Sequence, residues 1–118
     1  MTISQCYNAL GGDYQEALGR FKIERLIVKF ATMFLVDESF SNLKQAIEQQ
    51  DVEVAFRFAH TLKGVCANLS FTKLGKSSHN LTESLRGGTF PQNLNQLFGQ
   101  VEEDYQVTIQ ALSQLQTQ

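Results

Sequence analysis

Proline occurs once in the 118 residues, at Pro91, and tryptophan not at all. With so little proline, whose ring removes a backbone donor and fixes φ, long stretches are free to run as uninterrupted helix. Cysteine is scarce too. Cys6 and Cys66 are the only two, and two cysteines without a secretion signal do not make a disulfide framework. Cys66 falls among apolar residues at helical spacing and reads as a small buried hydrophobe. Charge of one sign is also lacking. Ten basic against twelve acidic residues leave a net charge of −2, without the basic stripe of a nucleic-acid binder. The longest apolar stretch, near 30–36, is broken by Thr32 and falls far short of the roughly 20 residues that span a bilayer. Met1–Gln5 opens the chain without the basic segment and apolar run of a signal peptide. These absences set the expectation of a cytoplasmic protein that contacts neither nucleic acid nor membrane.

What the chain does have is apolar residues at three- and four-residue intervals, the period of helices, with no strand-like alternation. A short helix starts near Asp13, after Gly11-Gly12, with Gly19 as the expected bend before a second segment. That second segment, about 21–34, carries Ile23, Leu26, Ile27, Phe30 and Phe34 on one stripe. The next uses Phe40, Leu43 and Ile47 behind Asp37 as N-cap. Another begins after Asp51, a second N-cap, with Ala55, Phe58, Ala59, Leu62, Cys66 and Leu69 inward. Thr72 is placed as the cap of a helix carrying Leu74, Leu81 and Leu85, which Gly87-Gly88 ends. Pro91 is expected in the first turn of the last helix. The phenylalanine-rich stretch 21–40 reads as core.

Short connections near 36–38, 50–51, 70–72 and 87–91 favour antiparallel neighbours. The expected fold is all-α: an up-down-up-down antiparallel four-helix bundle over about 21–118, with an additional N-terminal helical segment over about 1–20. The whole chain, 1–118, is read as one domain.

The chemistry concentrates at Ala59-His60-Thr61-Leu62-Lys63-Gly64. On a helix, His60, Lys63 and Gly64 share a face. At 100° per residue, Glu53, Phe56, Arg57, Lys63, Gly64 and Ala67 fall within about 60° of His60, roughly opposite the inner stripe. An imidazole is a nucleophile in its neutral form, which histidine readily adopts near neutral pH. Lys63 is placed to balance the charge of an incoming phosphoryl group. Gly64 costs a helix roughly 1 kcal/mol relative to alanine; the missing side chain leaves clearance beside His60 for a docking partner. Phe56 is an apolar anchor on a face that should be wet. His79, with no Lys-Gly pair after it, reads as a surface histidine.

His60-Thr61-Leu62-Lys63-Gly64, followed by Ala67-Asn68-Leu69, resembles the histidine-containing phosphotransfer (HPt) domain family. Arg57, Leu74, the segment Leu81–Leu85 and Gly11-Gly12-Asp13 fit the resemblance, which covers nearly the whole chain. It implies a four-helix bundle with His60 as phospho-acceptor through Nε2, Lys63 in charge balance and Gly64 in steric clearance. It further implies receiver domains of response regulators and a hybrid histidine kinase as partners. Mg²⁺ then sits on the partner receiver, and this chain needs no cofactor or metal of its own. Expected docking residues are Phe56, Arg57, Ala67, Thr82 and Arg86. The sequence departs from the family pattern twice. Ser70 replaces a common glycine in the turn after Asn-Leu. Thr82 occupies the position where members often carry a Gln or Glu that hydrogen-bonds the imidazole.

The expected function is therefore phosphoryl shuttling between receiver aspartates in a multistep two-component phosphorelay, with the chain a phosphocarrier rather than an enzyme. The alternative of another class is a non-phosphorylated helical adaptor that binds a signalling partner through the same face. A di-iron bundle is excluded because Arg57 and Lys76 stand where its Glu-x-x-His motifs need glutamate. Phosphate-loop and hydrolase signatures are absent as well.

Overall fold

The computed structural model describes residues 1–115, which form helices joined by short turns. Three short helices come first: α1 (Ile3–Leu10), α2 (Tyr14–Phe21) and α3 (Glu24–Met33), the last extended by a 3₁₀ turn, Phe34–Val36. Then follow α4 (Ser39–Glu48), α5 (Val52–Leu69), α6 (Thr72–Leu85) and α7 (Leu94–Ser113). Helix α4 packs on α5, α5 on α6 and α6 on α7, while α1 lies against α7. No strand occurs among the described residues.

Local chemistry sets most of the helix boundaries. Asp13 and Asp51 cap α2 and α5 as expected, accepting from Glu16 N at 2.9 Å and Val54 N at 3.2 Å. Asp37 acts one residue early, accepting from Ser39 N at 2.8 Å. Helix α1 owes its start to a reciprocal capping box. Gln5 N donates to Thr2 Oγ1, and Thr2 N donates to Gln5 Oε1. It ends at Gly11, whose φ of +80° is the left-handed conformation that closes helices.

Three expected boundaries are corrected. Gly19 continues α2; the bend comes at Lys22, with φ 73°, where stacking of Phe21 on Phe30 (centroids 5.3 Å apart) closes the α2–α3 corner. Thr72 is the first residue of α6 rather than its cap, and the preceding Phe71 makes no side-chain cap. Pro91 precedes α7 by a turn, its carbonyl accepting from Leu94 N at 3.2 Å.

The core is continuous. Ala55, Ala59, Leu62, Cys66 and Leu69 of α5 are buried as the spacing predicted, with Phe58 only half-buried. An aromatic chain ties the N-terminal helices to the bundle. Tyr7 packs on Phe71, Phe71 on Phe34, Phe34 on Tyr105 and Tyr105 on Phe40. Tyr7 also donates its hydroxyl hydrogen to the Leu69 carbonyl at 2.7 Å, deep inside. Cys6 and Cys66 are both buried, and burial pushes both thiols up. They stay protonated and are filler, not nucleophiles.

The α5–α6 turn holds the first departure from the family pattern. Ser70 takes the left-handed conformation (φ 59°, ψ 36°) that a glycine would take at no cost. Its side chain is tied down in exchange. Ser70 Oγ donates to Glu16 Oε1 and accepts from Arg20 Nη1, each at 2.8 Å, and Arg20 also donates to the Asn68 carbonyl. The turn is thereby clamped to α2.

Candidate functional site

Helix α5 carries the site because its inner stripe is small. Ala55 and Ala59 are fully buried and let neighbouring backbones approach. Gly75 of α6 works from the other side: a Cβ there would meet Cys66 Cβ at 3.4 Å. With one face fixed by this packing, the opposite face must point outward.

His60 lies on that outward face and is exposed, with Gly64 one turn later also exposed and Lys63 half-buried beside it. A Cβ built on Gly64 would meet nothing within 4 Å. The glycine is therefore not required by packing inside this chain, and the space above it is open. Arg57 and Ala67 are exposed on the same face, and Phe56 is half-buried. The Phe56 ring lies alongside the imidazole, with centroids 6.2 Å apart and planes at 21°.

The α6 side of the site is electrostatically organised. Arg86 donates from Nε and Nη2 to the two carboxylate oxygens of Glu83, at 3.2 and 2.7 Å. The same guanidinium lies 5.2 Å from the Phe56 ring centroid, a cation over an aromatic face. The Arg86 hydrogen bond holds the Glu83 carboxyl below the usual carboxylate range, with the charges of Arg86, His79 and Lys63 adding to it. Arg86 is pushed up by the same pairing. Arg86 is the side chain that pairs directly with this carboxylate. His79 is exposed and shares a groove with Lys63 and Ala67.

One expected docking residue is corrected. Thr82 is fully buried, and its hydroxyl donates to the Ser78 carbonyl at 2.7 Å. It faces the core because α6 buries Ser78, Leu81, Thr82 and Leu85 as one stripe. It therefore offers nothing to a partner. Among the described residues nothing hydrogen-bonds either ring nitrogen of His60.

Glu83 was missed by the sequence reading, although its pairing with Arg86 follows the opposite-charge i,i+3 spacing of helices. An apolar cleft between α2–α3 and α5 was missed as well. Phe21, Phe30, Met33, Val65 and Asn68 line it; Phe21 and Phe30 pack against the core as expected and also border this cleft. Met33 and Val36 are exposed large apolar residues.

No cluster of three His, Cys, Asp or Glu side chains able to hold a metal occurs among the described residues. No described helix is long and apolar enough to cross a membrane.

The described residues thus present an outward histidine in mid-helix, followed by a lysine and an open glycine on the same face. A family model described as Hpt domain matches residues 33–118. That is most of the chain, and the chain belongs to the HPt domain family. No match was found among curated proteins or solved structures. The matched region begins at the end of α3, so α1, α2 and most of α3 lie outside it. Membership suggests histidine phosphotransfer within two-component signalling and implies receiver domains or kinases as partners.

Proposed function

We propose that this chain is a phosphocarrier of a multistep phosphorelay, accepting a phosphoryl group on His60 Nε2 from one receiver aspartate and passing it to another. The observation that carries this reading is the open space over Gly64 beside an exposed His60. Beside an exposed histidine and a lysine, a mid-helix glycine that no internal contact requires leaves room for a surface approaching from outside; the equally open Gly99 has no histidine on its helix. In the transfer, the Nε2 lone pair forms the N–P bond. The P–O bond to the aspartate breaks, and its electron pair returns to the carboxylate. Nδ1 keeps its hydrogen. Lys63 then pairs with the phosphoryl charge carried by the ring. The reverse step delivers the group to the next aspartate. Activation of the phosphoryl group and the Mg²⁺ that supports it belong to the receiver, so the chain acts as carrier and not as enzyme.

In this reading Phe56, Arg57, Ala67 and Arg86 form the docking rim around His60. We read α4–α7 as the antiparallel four-helix bundle of the relay domain, with the N-terminal helices packed on it as part of one unit spanning 1–118. A cytoplasmic monomer fits a shuttle between partners. The test is incubation of the pure chain with a panel of phosphorylated receiver domains, reading acid-labile label. The native chain takes up label and His60→Gln does not. Equal labelling of the two would sink the proposal, and tight receiver binding indifferent to phosphorylation would favour a helical adaptor instead.

A further inference from the structure

An exposed imidazole on a helix can rotate about both side-chain torsions, yet phosphoryl transfer requires the Nε2 lone pair in line with the bond being broken. Something should restrict the ring. A hydrogen bond does not: nothing among the described residues bonds either nitrogen. The α6 residue that resemblance to the family offered for that role, Thr82, is buried and committed to the Ser78 carbonyl.

What does lie against His60 is an aromatic ring. Phe56, one turn earlier on α5, sits with its centroid 6.2 Å from the imidazole and its plane within 21° of parallel, inside the range of favourable offset stacking. Phe56 is itself restrained. The Arg86 guanidinium covers its ring at 5.2 Å, and two hydrogen bonds to Glu83 hold that guanidinium in place. Glu83, Arg86, Phe56 and His60 thus form a continuous stack from α6 to α5. Phe56 is half-buried: it packs against the core cluster and also lies alongside His60.

We propose that Phe56, braced by Arg86 and Glu83, is the positioning residue that sets the plane of the His60 ring for phosphoryl transfer, in place of a hydrogen bond from α6. Stacking suits the task because it restricts the ring plane while leaving both nitrogens free. Nε2 stays open to the incoming phosphorus, and Nδ1 can hand its hydrogen bond to water in every state of the cycle. The inference rests on the phosphocarrier reading and adds to it the means by which the ring is held.

The experiment compares the full-length native chain with Phe56→Leu, Phe56→Tyr and Arg86→Gln. Leucine keeps apolar bulk and removes the aromatic face, and tyrosine restores it. Two readouts are taken. Side-chain NMR of His60 reports the ring-current shift of its carbon-bound protons and needs no phosphodonor. Transfer from a receiver that labels the native chain gives the maximal rate at saturating receiver separately from the half-saturating concentration. Expected for Phe56→Leu are loss of the ring-current shift and a fall in maximal rate of about two- to tenfold, the factor that loss of a favourable aromatic pair amounts to. Phe56→Tyr restores both, and Arg86→Gln gives a partial loss of both. A Phe56→Leu variant that changes only the half-saturating concentration would leave Phe56 a docking contact and nothing more, and overturn the proposal. An unchanged His60 ring-current shift would overturn it equally. A native chain that no receiver labels would overturn the phosphocarrier reading and this proposal with it, an outcome distinct from the other two.

Discussion

Replacing Gly64 by alanine should make the protein more stable and less active. Glycine in a helix interior costs about 1 kcal/mol relative to alanine, mostly because its unfolded backbone has more freedom to lose. Ordinarily a substitution in a packed protein returns part of that gain as a clash. Here the added Cβ meets no atom within 4 Å, so the full propensity difference of about 1 kcal/mol should appear. For a domain of this size it corresponds to a rise in Tm of roughly 4 °C. The methyl group, however, occupies the space a docking receiver must enter, and a displacement of about 1 Å at the reacting atoms can cost up to 100-fold in rate. Gly64→Gln extends the series, with similar helix propensity and a longer obstruction. Gly99 of α7 is the internal control: it too is exposed in mid-helix, and a Cβ there meets nothing within 4 Å. Thermal denaturation by circular dichroism should show Gly64→Ala, Gly64→Gln and Gly99→Ala all stabilised. Transfer from a phosphorylated receiver should fall from Gly64→Ala to Gly64→Gln and remain native in Gly99→Ala. A Gly64→Gln chain that transfers at the native rate would refute the clearance role. Destabilisation by Gly64→Ala would refute the reading of open space.

Three further outcomes follow from the packing and charge around the site. Tyr7→Phe removes the hydroxyl that donates to the Leu69 carbonyl in the core, and urea unfolding should show a loss of about 1–3 kcal/mol, the cost of leaving a buried acceptor unpaired. Ser70→Ala keeps the left-handed backbone but loses the hydroxyl's bonds to Glu16 and Arg20; a loss of about 1–2 kcal/mol by the same measurement is expected, the partly exposed ionic partners holding it to the lower end. The folded state holds Glu83 below its ordinary range through Arg86, so the stabilisation is present above the unfolded carboxylate's titration and is lost as pH falls through the folded value. Native and Glu83→Gln chains should therefore differ most in Tm near neutral pH and converge in acid, whereas a gap that widens in acid would contradict that sign.

Much of the arrangement was legible because helices write their period into the chain. The inner stripe of α5 could be read from Ala55, Ala59, Leu62, Cys66 and Leu69, and its opposite then had to face outward. Asp13 and Asp51 announced their helices because a cap acts within three residues of itself. The Lys22 bend was not legible, since a lysine carries no mark of a positive φ; it is imposed by the Phe21–Phe30 stack across the corner. Helix α1 falls within the N-terminal helical segment expected over about 1–20, and Thr2 and Gln5 have the spacing of the capping box that starts it.

For the candidate site, the sequence by itself determined that His60, Lys63 and Gly64 share one helix face, because that follows from 3.6 residues per turn and nothing else. It determined equally that this face opposes the core. Tertiary structure alone decided what surrounds the imidazole. Thr82 and Glu83 are neighbours in sequence, yet α6 packs so that Thr82 turns into the core while Glu83 stays outside and grips Arg86. Rotation of one helix against another depends on how the residues of both fit together along the whole α5–α6 seam, where Gly75 faces Cys66, and no local pattern carries that. The same rotation brings Arg86 over Phe56 and leaves the His60 ring against an aromatic face.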